Sequence, residues 1–152
     1  MIRVTFAGHR NVFNSYAVRE QVDAAIASIL TKDTEFNFYS GGMGEFDKLC
    51  ESAVRSAKVA HTELTIKLVY VSPYMSNSFN TQRDYYEYHY DDILIPMELA
   101  GVHYKGAITK RNRWLVDNAD YLITYIRRDH GGAYATMRYA ERKKSCRIIH
   151  IE

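Results

Sequence analysis

Short β-rich runs alternate with stretches of helical periodicity along almost the whole chain, and no other feature constrains the fold as strongly. Ile2 to Ala7 reads as a strand, and Val18, Val22, Ala25, Ile26 and Ile29 then recur at helical spacing. Phe36 to Ser40 is a second strand, closed by Gly41-Gly42, after which Phe46, Leu49, Cys50, Ala53, Ala57 and Ala60 share one helical face. Leu64 to Val71 is a third strand ended by Ser72-Pro73, and Ile93-Leu94-Ile95 a short fourth before Pro96. Lys110 to Asn118 reads as a helix and Tyr121 to Ile126 as a strand. Gly131-Gly132 opens a helix through about Lys144, and Arg147 to Ile151 is the last strand. Each parallel crossover needs a dozen or more residues and usually spends them on a helix. The expected fold is α/β, a Rossmann-like three-layer domain with a mostly parallel sheet of about five to six strands. A chain of 152 residues has room for one such domain, spanning residues 1–152.

Composition narrows the function classes. Hydrophobic residues make up 47% and charged residues 25%, enough for a packed core and unlike a disordered chain. The net charge of +2 provides no broad field for nucleic acid or an anionic membrane. The charge is unevenly placed, however: residues 1–104 carry 9 basic and 13 acidic side chains, residues 105–152 carry 11 and 5. Part of the basic excess, Arg142-Lys143-Lys144 and Arg147, sits near a helix C-terminus, where cations complement the dipole. Cys50 and Cys146 belong to no C-x-x-C pair and have no His at zinc-like spacing, so neither a disulfide framework nor a metal site is expected. No apolar run is long enough for a membrane span and the start does not read as a signal peptide, which together predict a reduced, cytoplasmic setting.

Ligands of open α/β sheets sit beyond the carboxyl ends of the strands, near the point where strand order reverses. Three segments fall there: Gly8-His9-Arg10, Ser40-Gly41-Gly42-Met43-Gly44 followed by Asp47, and His130-Gly131-Gly132-Ala133-Tyr134 followed by Thr136. Glycines let backbone N–H groups approach a ligand, and a following helix N-terminus favours phosphate. Each glycine pair read alone is also an ordinary tight turn. Neither G-x-G-x-x-G nor the Walker A pattern is present, and no cofactor is expected. Arg111 and Asn112, near the start of the predicted helix, are better placed to reach the same edge, whereas Arg113 and Asp117, four apart, suit a surface ion pair and a functional role about equally.

In order, Ala7-Gly8-His9-Arg10, Ser40-Gly41-Gly42-Met43-Gly44 with Asp47, Arg111-Asn112-Arg113 through Val116-Asp117 to Asp120, and Gly131-Gly132 ahead of Tyr139-Ala140 resemble the SMF/DprA-LOG (SLOG) superfamily. The similarity is greatest to its small, single-domain YpsA-like branch and covers nearly the whole chain except Tyr74 to Asp92. The resemblance implies a Rossmann-like domain that binds a nucleotide or nucleotide-derived, ADP-ribose-like ligand. The implied ligand-binding residues are Gly8, Arg10, Ser40, Gly41, Gly42, Gly44, Asp47, Arg111, Asn112, Gly131, Gly132 and Thr136.

Two other activities follow from other branches. The LOG branch hydrolyses nucleoside 5'-monophosphates through an Arg and a Glu in P-G-G-x-G-T-x-x-E. Here no Pro precedes the glycines, and Arg138 or Tyr139 stands where that Glu is needed. Asp47 is the substitute candidate, with Glu45 behind it, although Asp47 also fits a helix-N-terminal acid. His9 and His130 could serve as acid or base or simply as loop surface, and Cys50 reads as core. The DprA branch implies single-stranded DNA, to be held by the basic half with tyrosine stacking. Finally, 13 tyrosines are present, four of them within Tyr85 to Tyr90. A helix there puts Tyr86 and Tyr90 on one face and Tyr85, Tyr88 and Asp92 on another, giving either a lid over a base or, the favoured reading, a homo-oligomer contact.

Overall fold

The computed structural model describes all 152 residues and contains one six-stranded sheet. Strands β1 (Ile2–Gly8), β2 (Glu35–Ser40), β3 (Thr65–Val71), β4 (Asp92–Leu94), β5 (Tyr121–Tyr125) and β6 (Arg147–Ile151) stand in the order β4-β3-β2-β1-β5-β6. Every pairing is parallel. Helices α1 (Ser15–Leu30), α2 (Gly44–Ala60), α5 (Tyr104–Asp117) and α6 (Gly132–Lys143) make the long crossovers. Between β3 and β4 the chain makes an excursion through two short helices, α3 (Ser78–Thr81) and α4 (Arg83–His89).

The alternation of side chains along each strand divides the core in two. Val4, Phe6, Phe36, Phe38, Ile66, Leu68, Ile123 and Tyr125 join Val18, Val22, Ile26 and Ile29 of α1 and Phe46, Cys50, Ala53 and Val54 of α2 in the main cluster. On the other face, α5 and α6 cover two smaller clusters, Ala7, Val116, Leu122 and Ala140 in one and Tyr39, Val69, Val71 and Leu115 in the other. Cys50 is core, as its helical face predicts.

Two expectations need correction. The helix predicted to begin at Lys110 begins at Tyr104, because His103 caps it: its Nδ1 accepts the Lys105 N–H at 3.2 Å. Only Ala107 is buried in the first six residues, so no apolar periodicity announced that part. Arg111 is therefore mid-helix rather than near the start. Nor does Arg113 pair with Asp117: the carboxylate accepts the Tyr139 hydroxyl at 2.9 Å, and the Arg113 guanidinium lies over the Tyr139 ring.

Gly8 shows how closely α2 approaches the sheet. A Cβ there would overlap the ring and Cβ of Phe46, which is fully buried. Gly8→Ala is expected to lower stability by about 1–3 kcal/mol through overpacking, measured by urea unfolding; an unchanged midpoint would contradict this packing role.

Candidate functional site

The chain runs outward from β1 to β4, then returns through α5 to place β5 on the other side of β1, so strand order reverses between β1 and β5. At the carboxyl end of that junction lies a cleft of about 270 Å³. Gly8, His9 and Arg10 line it from the end of β1 and the residues after it, Gly41 and Met43 from the β2–α2 turn, Asp47 from the first turn of α2, Ile108, Arg111 and Asn112 from α5, Arg128 from the β5–α6 connection, and Gly132, Ala133 and Thr136 from the start of α6. Eight of the sequence candidates thus meet on one cleft: Gly8, Arg10, Gly41, Asp47, Arg111, Asn112, Gly132 and Thr136. Ser40, Gly42, Gly44 and Gly131 are not part of its lining.

The two glycine turns behave differently. After β2 three of the backbone donors are consumed locally. The Gly42 N–H donates to Ser40 Oγ at 3.0 Å, the Met43 N–H to Asp47 Oδ2 at 2.9 Å and the Glu45 N–H to the Arg10 carbonyl at 2.8 Å. Gly42, at φ 65°, is needed because a Cβ would strike the Tyr70 ring, and Gly44, at φ 87°, because a Cβ would meet the Arg10 backbone. After β5 the situation is open. Gly131 occupies the N-cap of α6 at φ 97° and offers no side-chain acceptor, and no acidic residue lies in the first turn. First-turn amides of a helix lack intrahelical partners, so this end of α6 presents donors and positive potential to the cleft. Thr136 does not add to them, since its Oγ1 donates back to the Gly132 carbonyl at 2.8 Å.

Arg111 is the most unusual side chain of the molecule. It is 1% exposed, and Nη1 donates to the carbonyls of Val71 at 2.8 Å and Gly41 at 3.2 Å. Nε donates to Asn112 Oδ1, while Nη2 has only the thioether of Met43, a weak acceptor. None of the ion pairs in the structure involves Arg111. Burial depresses its pKa, with Tyr70 and Asp47 opposing that shift. A buried charge without a counter-ion is costly, and an anionic ligand is the partner that would offset it. Arg10 and Arg128 reach the same cleft and make neither side-chain hydrogen bonds nor ion pairs.

Asp47 is the one carboxylate in the lining. Burial raises its pKa to about 7; the Met43 N–H works against the shift and Glu51 adds to it. Asp47 thus closes the first turn of its helix by accepting the Met43 N–H and also lines the cleft. Glu45 is structural, its Oε2 accepting the Val12 N–H at 2.7 Å. His9 is buried, not loop surface. Its Nε2 accepts the Arg127 N–H at 2.8 Å, and burial with nearby Arg128 and His130 lowers its pKa. His130 is exposed beside Asp129. Arg138, in place of the LOG-type Glu, pairs with Glu141 at 3.1 Å and lies outside the cleft.

No protein-family model and no curated protein sequence matches the chain. Two solved structures of DNA processing protein A do. That from Streptococcus pneumoniae superposes with a TM-score of 0.63 at 14% identity, covering 99% of this chain and 50% of its own. That from Helicobacter pylori, described for its single-stranded DNA binding mode, gives 0.58 at 19% identity, covering 98% and 64%. The fold is similar to that of the superposed part of DprA. At the level of fold this agrees with the SLOG resemblance, and the chain spans about half to two thirds of the DprA chains it matches.

Sequence reading missed Arg128, Met43 and Glu51. Glu51 is 1% exposed and lies behind the cleft, accepting the Ser40 hydroxyl at 2.6 Å and the Tyr90 hydroxyl at 2.8 Å, with Lys48 Nζ at 3.7 Å. Its i,i+4 spacing from Asp47 on a predicted helix was the available signal. Since Ser40 Oγ also accepts the Gly42 N–H, Glu51 ties the β2–α2 turn to the end of α4. Glu51→Gln keeps the shape but loses the charge-assisted part of two bonds, and is expected to cost about 1–2 kcal/mol. Thermal unfolding checks this; an unchanged Tm would remove Glu51 as the tie. No cluster of three or more His, Cys, Asp or Glu side chains suited to a metal ion occurs, and no helix is long and apolar enough to cross a membrane.

Proposed function

We propose that the chain is a small-ligand module of the YpsA-like kind, binding a nucleotide or nucleotide-derived, ADP-ribose-like phosphate in the cleft between β1 and β5. The observation that carries this is the buried, counter-ion-free Arg111 guanidinium beside the uncapped start of α6. Phosphate oxygens accept from the first-turn amides around Gly132 and Ala133, and Arg10 and Arg128 neutralise the charge at the rim. Asp47, titrating near neutrality, accepts from or donates to ribose hydroxyls. Calorimetry with nucleoside mono- and diphosphates and ADP-ribose tests the reading. Binding weakened about tenfold or more by Arg128→Ala supports it; no heat at millimolar ligand, or affinity indifferent to Arg128, overturns it. Free base released from a nucleoside monophosphate, and lost in Asp47→Asn, would add hydrolysis to binding.

A second reading, single-stranded DNA, is favoured by the H. pylori neighbour and by a groove of about 350 Å³ between α5 and α6. That groove carries Arg113, Arg138, Arg142, Tyr134 and Tyr139 and shares Asn112, Gly132 and Thr136 with the cleft. Several phosphate contacts make affinity fall steeply with salt. An oligonucleotide bound with that dependence, and more tightly than any mononucleotide, would make this the better description.

A further inference from the structure

The Tyr-rich excursion between β3 and β4 builds a second cavity that the phosphate cleft does not use. It measures about 180 Å³, and its ring wall is Tyr70, Tyr74, Phe79 and Tyr86. Three of these rings are packed against one another: Phe79 and Tyr86 centroids lie 5.1 Å apart, Tyr70 and Tyr86 5.7 Å, Tyr70 and Phe79 6.1 Å. Hydroxyls are set among them. Ser76 Oγ, Ser78 Oγ and Tyr86 Oη form a continuous chain at 2.8 and 3.2 Å, and hydroxyls retain donor and acceptor capacity beyond such contacts.

Gly41, Met43, Ile108 and Arg111 line both this cavity and the cleft, so the two are neighbours across one wall whose only charged member is Arg111. At about 270 and 180 Å³, each falls short of the roughly 300–1,000 Å³ usual for small-molecule sites, while the two joined fall within it. Met43, unbranched and flexible, is the divider best able to move aside. The alternative neighbour, the α5–α6 groove, is lined by three arginines and suits further anionic groups instead of a planar ring.

We infer that the cavity walled by Tyr70, Phe79 and Tyr86 is the subsite for the heteroaromatic base of a nucleoside phosphate whose phosphate sits at the start of α6. The inference rests on the phosphate reading above and adds to it the part of the ligand that gives affinity and selectivity. A base placed there meets aromatic rings on one side and the Ser76–Ser78–Tyr86 hydroxyls along its edge, while Arg111 faces the sugar-phosphate between the two spaces. It also assigns a use to the one stretch that the family resemblance leaves unmatched.

The test compares the four common nucleoside 5'-monophosphates with ribose 5-phosphate, which has the same phosphate and sugar but no base, by calorimetry on the full chain. At least one nucleotide is expected to bind about tenfold or more tightly than ribose 5-phosphate, as base–aromatic stacking implies. Phe79→Ala is expected to remove most of that advantage and leave ribose 5-phosphate unchanged. Phe79→Leu, which keeps apolar volume in case the alanine variant unfolds, is expected to reduce the advantage severalfold. Equal binding of nucleotides and ribose 5-phosphate would overturn the base subsite while leaving the phosphate reading intact, as would Phe79 variants that weaken both ligands alike. Binding of neither would overturn both.

Discussion

Arg111→Met is expected to weaken nucleotide binding by at least about 30-fold, the consequence of removing one partner of a buried charge pair. The methionine fills much of the same space but leaves the Gly41 and Val71 carbonyls without their donor. Each unsatisfied carbonyl costs about 1–3 kcal/mol, offset in part by removing a charge that burial already disfavours, so stability is expected to fall by about 2–4 kcal/mol. Arg111→Lys separates the two roles: it keeps a positive charge but not the planar fork, and is expected to lose the carbonyl contacts while retaining part of the affinity. Titration below the unfolding temperature of each variant is the check. A folded Arg111→Met chain that binds as the unsubstituted chain does would remove Arg111 from the site.

Asp47→Asn is expected to change the pH dependence of both stability and binding. The carboxyl titrates near its ordinary 3.8 when unfolded and at about 7 when folded. Between those values the folded chain holds a proton that the unfolded chain has lost, so the contribution of this group to stability is full at low pH and declines as pH rises to about 7. It is flat above that. At about 1.4 kcal/mol per pH unit the decline amounts to on the order of 4 kcal/mol. The asparagine has no such decline and still offers an oxygen to the Met43 N–H. Denaturant unfolding at pH 5 and pH 8 should therefore show Asp47→Asn gaining on the unsubstituted chain at the higher pH; a constant difference would contradict the buried, raised carboxyl. Binding follows the same logic. A charged Asp47 repels phosphate, so affinity falls from pH 6 to pH 8. The ligand's own phosphate titrates near 6, and the readout is the difference between the two proteins.

Most of the fold was legible because period-2 and helical spacing survive in the sequence wherever an element buries one face. Val18 through Ile29 and Phe46 through Ala60 are such elements. The first turns of α5 were not legible, since Tyr104 and Lys105 expose their side chains, Gly106 has none, and a histidine supplies the cap. The site divided in a similar way. Residues adjacent to strand ends, such as Arg10, Asp47 and Gly132, could be placed because topology sends every strand end to one edge. What each group does there could not, because it depends on partners distant in sequence. Gly42 and Gly44 read as phosphate donors; the structure adds that Tyr70 and the Arg10 backbone require glycine at these positions, and that the Gly42 N–H is taken by Ser40 Oγ. Glu51 and Tyr90, 39 residues apart, meet only once α4 folds back. The tyrosines of α4 and its C-cap split as helical spacing predicts, Tyr86 and Tyr90 packing on Tyr70 while Tyr85 and Tyr88 remain exposed, but the helix ends at His89 and Asp92, expected on the latter face, stands in β4.

The most direct measurement is a crystal structure of the chain with a nucleoside 5'-monophosphate at saturating concentration. The expected result is phosphate oxygens within hydrogen-bond distance of the first-turn amides of α6 at Gly132 and Ala133, with Arg10 or Arg128 at the rim and Arg111 beneath. Phosphate bound only along the α5–α6 groove, or nucleotide absent from the cleft at saturation, would contradict it.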